Sequence, residues 1–327
     1  MNNFTCNLCG TSNTVEEIPW ETATCSDCGS NVRMRALIYM LALELFGKPR
    51  LLPEFPRYDN VKGFGMSDAQ CYSTTLAEKM NYTNTFYDRQ PYLDITESHA
   101  DQHGTYDFIL SSDVFEHVAP PIERAFEEAF SLLKPYGFLC ITVPSVIADE
   151  TDEHYPDLHQ YSVIELAGEH VLINRKKDRT LEIHGNLVFH GGIGATLEMR
   201  LFAQADLVRK LRAAGFSDVV LQMEPVERFG IVFDGPWSRP LVARKQPFPK
   251  LSASAPAENV NQGVARVEPQ TMSGPDAIDP IAQLQKEKAE IESRLDLAET
   301  QLRLAGGSRW LRLGRRLGLG PNLEQDK

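Results

Sequence analysis

Four cysteines, Cys6, Cys9, Cys25 and Cys28, form two CxxC pairs with fifteen residues between them. A CxxC turn lets two thiolates point at one centre, and Gly10 and Gly29 directly follow the second cysteine of each pair, where a tight turn is needed. Four sulfurs close a tetrahedron and leave no position for water, so the spacing predicts a structural zinc ribbon and not a catalytic zinc. Two disulfides or a redox pair are the alternative, which a reducing cytoplasm disfavours. Cys71 and Cys140 stand apart and read as small buried hydrophobes.

Four of the eight histidines sit where proton transfer is conceivable. His117 lies in the FEHV run, His154 and His159 lie in TDEHYPDLHQY, and His190 precedes Gly191 and Gly192, which permit close approach of a ligand. An imidazole titrates near neutrality, so each of His190, His159, His154 and His117 is a candidate base for an acceptor hydroxyl. The stretch 145–200 that holds three of them is too polar for a core and too long for an ordinary loop. It reads as a substrate-binding insertion.

The elements that must position these groups are legible from 58 to 245, where β-rich runs alternate with amphipathic helices. A first strand at 59–65 precedes a helix through Lys79, and strands follow at 82–88 and 106–112. A helix at 121–133 leads through KPYG into a strand at 138–144. A helix near 203–214 ends at Gly215, before strands at 218–224 and 240–245. That order predicts an α/β domain with a mostly parallel sheet covered on both faces. Ahead of it, SNVRMRALIYMLALELFG reads as a helix that docks the ribbon on the sheet domain.

The segment YDFILSSDVFEHVAPPIERAFEEAFSLLKPYGFLCITVP resembles the central block of class I S-adenosylmethionine-dependent methyltransferases of the type 11-like kind. The resemblance implies a Rossmann-like sheet of seven strands with the cofactor in the crevice at the strands' carboxyl ends. It implies that Gly63 and Gly65 let the backbone approach the methionine part of the cofactor, with Ser67 or Asp68 meeting its ammonium and carboxylate. Asp88 would accept from the ribose hydroxyls, Asp94 from the adenine amino group, and Ile95 would touch the ring. Ser111, Ser112 and Asp113 would lie beneath the sulfonium, although Asp113 equally suits a cap before VFEHV.

The chain has 327 residues, a net charge of −12, 42% hydrophobic and 24% charged residues, which excludes wholesale disorder. Its negative charge opposes phosphate backbones, so no nucleic-acid partner is expected. The N-terminus lacks a basic and apolar leader, and the densest apolar run, 36–46, is too short to span a bilayer. A cytoplasmic location is the expectation.

The expected organisation is a ribbon and docking helix at 1–47, then a methyltransferase domain at 48–246 with its insertion at 145–200. A Pro/Ala/Ser-rich linker at 247–280 leads to a short heptad pattern at 281–305, which suggests a homodimer through a coiled coil. The tail at 306–327 mixes arginines with Trp310 and leucines, a pattern suited to an anionic membrane surface or a protein groove. Its SRW…GR run is similar to a short motif near chain ends in bacterial surface-glycan assembly. Together with the likeness to zinc-ribbon sugar methyltransferases, this implies a sugar or glycan-related hydroxyl as methyl acceptor. Transfer to nitrogen or carbon of another small molecule, or a non-catalytic interaction role, are the alternatives.

Overall fold

A computed structural model of the chain describes residues 1–166, 168–190, 196–233, 235 and 238–251. The elements in chain order are β1 (Asn2–Thr5), β2 (Ser12–Val15), α1 (Val32–Phe46), β3 (Tyr58–Met66), α2 (Gln70–Lys79), β4 (Met80–Thr85), β5 (Tyr106–Ser112), α3 (Glu123–Leu132) and β6 (Leu133–Thr142). The short strands β7 (Ser145–Val146), β8 (Asp152–Glu153), β9 (Gln160–Leu166), β10 (Glu169–Arg175), β11 (Leu181–His184), β12 (Phe189–His190), β13 (Thr196–Leu197) and β14 (Arg200–Ala203) follow. Last come α4 (Gln204–Ala213), β15 (Asp218–Leu221) and β16 (Leu241–Arg244).

The main sheet has the order β15-β16-β6-β5-β3-β4. β4, β3, β5 and β6 run parallel, and β16 and β15 add antiparallel at one edge. The α/β reading and the mostly parallel sheet therefore hold, but the expected seven strands are six among the described residues. The run DRQPYLDITESHADQHG between β4 and β5 is polar, interrupted by Pro91 and largely exposed. Such a run cannot bury a strand face, and it makes only an isolated bridge, Phe86 to Tyr92, and a short 3-10 turn. In the centre, Phe108, Ile109 and Leu110 of β5 and Phe138 to Ile141 of β6 are fully buried, as strands covered on both faces require.

One face of the sheet is covered by α1 and α2, the other by α3 and α4. α1 is buried nearly all round because it lies between sheet and ribbon. Asn31 caps its start by accepting from the Met34 amide at 3.0 Å, and Gly47 ends it with φ of 68°. Arg35 is fully buried there and donates to the Ser30 and Gly230 carbonyls and to Thr24 Oγ1 at 2.8 to 2.9 Å. It ties the N-terminal module to the turn that follows β15.

Residues 247–251 correct the expected start of the linker. Phe248 packs edge-on against Phe138 with centroids 5.3 Å apart, and the Leu251 amide donates to the Leu45 carbonyl at 2.7 Å. The chain here is bound to α1 and β6 because Phe248 has an apolar surface to cover. The rest of the linker, the 281–305 heptad segment and the 306–327 tail lie outside the described residues. Among the described residues no helix is long and apolar enough to cross a membrane.

The 145–200 stretch is largely β. It forms the sheet β7-β14-β8, the antiparallel meander β11-β10-β9 and the hairpin β12-β13. A small core of Tyr155, Leu172, Leu197 and Met199 holds it together. β14 pairs with both β7 and β8, which brings the hairpin back against the end of the main sheet.

Candidate functional site

The parallel strands all end at one edge, and a cleft of about 1520 Å³ opens there. Its floor comes from Met66 at the end of β3, Thr85 at the end of β4 and Ser112 at the end of β5. Ser67 and Asp113, the residues directly after β3 and β5, have φ of 56° and 52°. The left-handed region costs a non-glycine residue about 1 kcal/mol, and strain of this kind gathers at functional edges.

Of the expected cofactor residues, Ser67, Asp68, Asp88, Asp94, Ile95, Ser112 and Asp113 line this cleft. Asp88 is largely solvent-exposed at its rim, paired with Arg89. Asp94 Oδ1 accepts from the Thr96 amide at 2.8 Å and from Thr96 Oγ1 at 2.7 Å, which fixes its carboxylate against the cleft. Ile95 is buried beside it and offers an apolar wall.

Four of the expected contacts are corrected. A Cβ on Gly63 would meet the Phe108 ring at 2.3 Å, so this glycine makes room for core packing and lies off the cleft. A Cβ on Gly65 would meet Asp68 Oδ2 at 2.0 Å and the Tyr82 hydroxyl at 2.1 Å. That glycine makes room for a buried triad, in which Tyr72 donates to Asp68 Oδ1 at 2.9 Å and Tyr82 donates to Oδ2 at 2.5 Å. Asp68 is thereby turned inward, both its oxygens taken by tyrosines, and burial pushes its carboxyl up to about 6. Ser111 is wholly buried inside β5, and its neighbour Ser112 meets the cleft in its place.

Arg33, in the first turn of α1, also lines the cleft. Its Nε lies 3.0 Å from Asp113 Oδ2 and it also bonds Ser112 Oγ, while Glu21 of the ribbon holds the outer edge of the guanidinium. Thr142 Oγ1 donates to Asp113 Oδ1 at 2.8 Å, which completes the support of that carboxylate.

The four histidines separate. His117 and His190 line the cleft, with ring centroids 4.7 Å apart and planes nearly perpendicular. His154 lies behind them and bonds Glu198 Oε1 at 3.0 Å, while His190 Nε2 bonds Glu198 Oε2 at 2.8 Å. His159 is exposed and outside the cleft, which corrects its place among the candidate bases. The polar TDEHYPDLHQY segment carries it on the outside of the insertion.

Two acids complete the cluster, and neither stood out in the sequence. Glu116 is fully buried between His117 and His190, and burial pushes its carboxyl up to about 7. Glu116 and then Glu198 hold the His190 ring up to about 10, while burial opposes the charge on Glu198 and the His154 and His190 rings outweigh it, down to about 2. Glu116 was in plain view within FEHV, but nothing local marks it as converging with a histidine 74 positions later.

The four ribbon cysteines are brought together as expected. Cys6 and Cys28 sulfurs are 3.6 Å apart, Cys9 and Cys25 sulfurs 3.5 Å, and all four lie within 4.8 Å of one another. All are free thiols, and sulfurs about 3.8 Å apart are what zinc–sulfur bonds of about 2.3 Å require in a tetrahedron. Gly10 and Gly29 take φ of 87° and 68° in the two knuckles.

Residues 67–221 match a family model described as a methyltransferase domain. No curated protein sequence matches the chain significantly. Among solved structures, a methyltransferase of Mesorhizobium loti is similar at 11% identity, covering 66% of this chain and 99% of its own, with a TM-score of 0.40. The 1,6-didemethyltoxoflavin-N1-methyltransferase of Burkholderia thailandensis is similar at 15% identity, covering 65% of this chain and 78% of its own, with a TM-score of 0.36. Both are too distant to carry substrate or mechanism to this domain.

The cleft's donor set suits S-adenosylmethionine, the cofactor that the sequence resemblance implies. It offers a carboxylate at Asp88 for a diol, a carboxylate and an apolar wall at Asp94 and Ile95 for an aminopurine, and a paired cation and anion at Arg33 and Asp113 for an amino-acid end.

Proposed function

We propose that this domain transfers the methyl group of S-adenosylmethionine to a hydroxyl of a sugar or glycan-related acceptor. When bound, the cofactor supplies an electrophilic methyl group on a sulfonium. Asp88, Asp94 and Ile95 hold its nucleoside, and Arg33, Ser112 and Asp113 hold its amino-acid end. The 145–200 insertion presents the acceptor through the wall that contains His117 and His190. With the cofactor bound, the acceptor oxygen would take the methyl group as the sulfur kept the electron pair of its broken bond, and the wall with His117 and His190 would receive the acceptor's proton. Alignment in a dry cleft supplies most of the acceleration.

The observation that carries this reading is the His117 and His190 pair on the cleft wall, backed by the buried Glu116. A hydroxyl must lose a proton to become a useful nucleophile, and proton-handling groups at the wall are what such an acceptor needs. In the ribbon, Cys6, Cys9, Cys25 and Cys28 are proposed to hold a structural zinc that braces α1. The chain is proposed to work in the cytoplasm.

The test is incubation with cofactor carrying a labelled methyl group and a panel of nucleotide sugars and glycan extracts, following the label by mass. Label on a sugar oxygen is the expected result. Label on an amine or a ring carbon would replace the hydroxyl reading with N- or C-transfer.

A further inference from the structure

We propose that Glu116, His117 and His190 form a binding site for a first-row divalent transition metal in the wall of the cleft, separate from the four-cysteine cluster. One ligand atom from each of the three lies within 4.8 Å of the others. Glu116 is fully buried, and among the described residues neither of its carboxylate oxygens has a hydrogen-bond partner. The nearest ring nitrogens stop short of it: His117 Nε2 is 3.6 Å and His190 Nδ1 is 3.7 Å from Glu116 Oε1. Those separations are too long for hydrogen bonds. They are close to the spacing of roughly 3.4 Å between ligand atoms that each stand about 2.1 Å from one tetrahedral ion.

The outer nitrogens explain why the inner ones are free to ligate. His117 Nδ1 lies 2.9 Å from the Leu197 carbonyl, which can only accept, so that nitrogen carries the proton. His190 Nε2 lies 2.8 Å from the Glu198 carboxylate and carries its proton there. With an ion bound, the proton on each outer nitrogen would leave His117 Nε2 and His190 Nδ1 to turn lone pairs toward that ion, beside Glu116. Acceptors behind ligating histidines are the usual way in which proteins orient a metal's imidazoles, and His154 extends the support by bonding Glu198.

Two imidazoles and one carboxylate favour zinc, manganese, iron, cobalt or nickel over magnesium and calcium, which prefer all-oxygen shells. Three protein ligands leave coordination positions for an exogenous oxygen. This last role rests on the transferase reading above: an acceptor hydroxyl bound to the ion would be acidified, its proton passing to water before the oxygen takes the methyl group.

The test uses the full-length chain dialysed against excess cobalt(II), followed by elemental analysis and visible absorption. Two divalent ions per chain are expected, the second giving cobalt bands without thiolate charge transfer. Glu116→Gln and, separately, His190→Ala are expected to hold one ion, with circular dichroism unchanged. His190 is partly exposed, so its variant leaves the fold intact. Glu198→Gln is expected to weaken cobalt binding by about 10- to 100-fold, as loss of an outer partner does. One ion per chain in the unaltered protein, or two ions in both ligand variants, would overturn the site. Two ions with no S-adenosylmethionine binding would leave the metal site standing and remove the transferase reading.

Discussion

Arg33, from the first turn of the helix beside the ribbon, sets its Nε 3.0 Å from Asp113 Oδ2 at the end of the central strand. The pair joins the N-terminal module to the edge where the cleft opens, and Glu21 of the ribbon holds the same guanidinium. The ribbon is therefore part of the cleft wall as well as a docked neighbour. Arg33→Met is expected to weaken binding of the demethylated cofactor by at least about tenfold, since a charged hydrogen bond contributes about 1.5–3 kcal/mol. Calorimetric titration checks this. Unchanged affinity would show that the cation serves only to hold Asp113.

The N-terminal module's stability is expected to depend on the proposed zinc, because a module with two short strands has little core of its own. Cys28→Ser should lose the thiolate-bound ion and lower the melting temperature of the whole domain, since Arg35 and α1 couple the ribbon to the sheet. Elemental analysis with thermal melts, with and without a strong chelator, measures both effects. A melt insensitive to chelator and to the substitution would mean that packing on α1 alone supports the ribbon.

Much of this arrangement was legible along the chain. The CxxC spacing placed four sulfurs together, and the apolar run YDFILSS placed β5 at the sheet centre, because both signals are local in sequence. The turn residues Ser112 and Asp113 followed from the end of that strand. What escaped was set by long-range pairing. Arg33 reaches Ser112 from 79 positions away, and Glu198 meets His154 across 44. Gly63 and Gly65 looked like approaches for a ligand, but absent side chains serve equally to admit Phe108 and the Asp68 triad. Only the packed neighbours distinguish the two uses.

Asp94 and His190 are expected to divide their roles. Asp94→Ala removes the carboxylate proposed to face the nucleoside and should weaken cofactor binding by about tenfold or more. His190→Ala should leave that affinity unchanged and slow turnover. Asp88→Ala, at an exposed rim, should have a smaller effect on affinity than Asp94→Ala. Equal loss of cofactor affinity in the Asp94 and His190 variants would contradict the separation of nucleoside wall from acceptor wall.

Asp68 should give the fold a measurable pH dependence. Burial lifts its carboxyl from an ordinary 3.8 to about 6, with the Tyr82 and Tyr72 hydroxyls opposing that rise. Because the folded value is the higher one, the folded state binds more protons than the unfolded state between those values. The contribution is fully present below about pH 3.8 and is lost as pH rises through about 6, amounting to about 3 kcal/mol. Asp68→Asn keeps a polar group between the tyrosines and cannot ionise. Denaturant titrations of the cofactor-free protein should therefore show its stability gaining on the unaltered chain as pH goes from 4 to about 6, and then levelling off. Parallel pH profiles for the two proteins would mean that the tyrosine hydroxyls, and not burial, set the carboxyl's proton affinity.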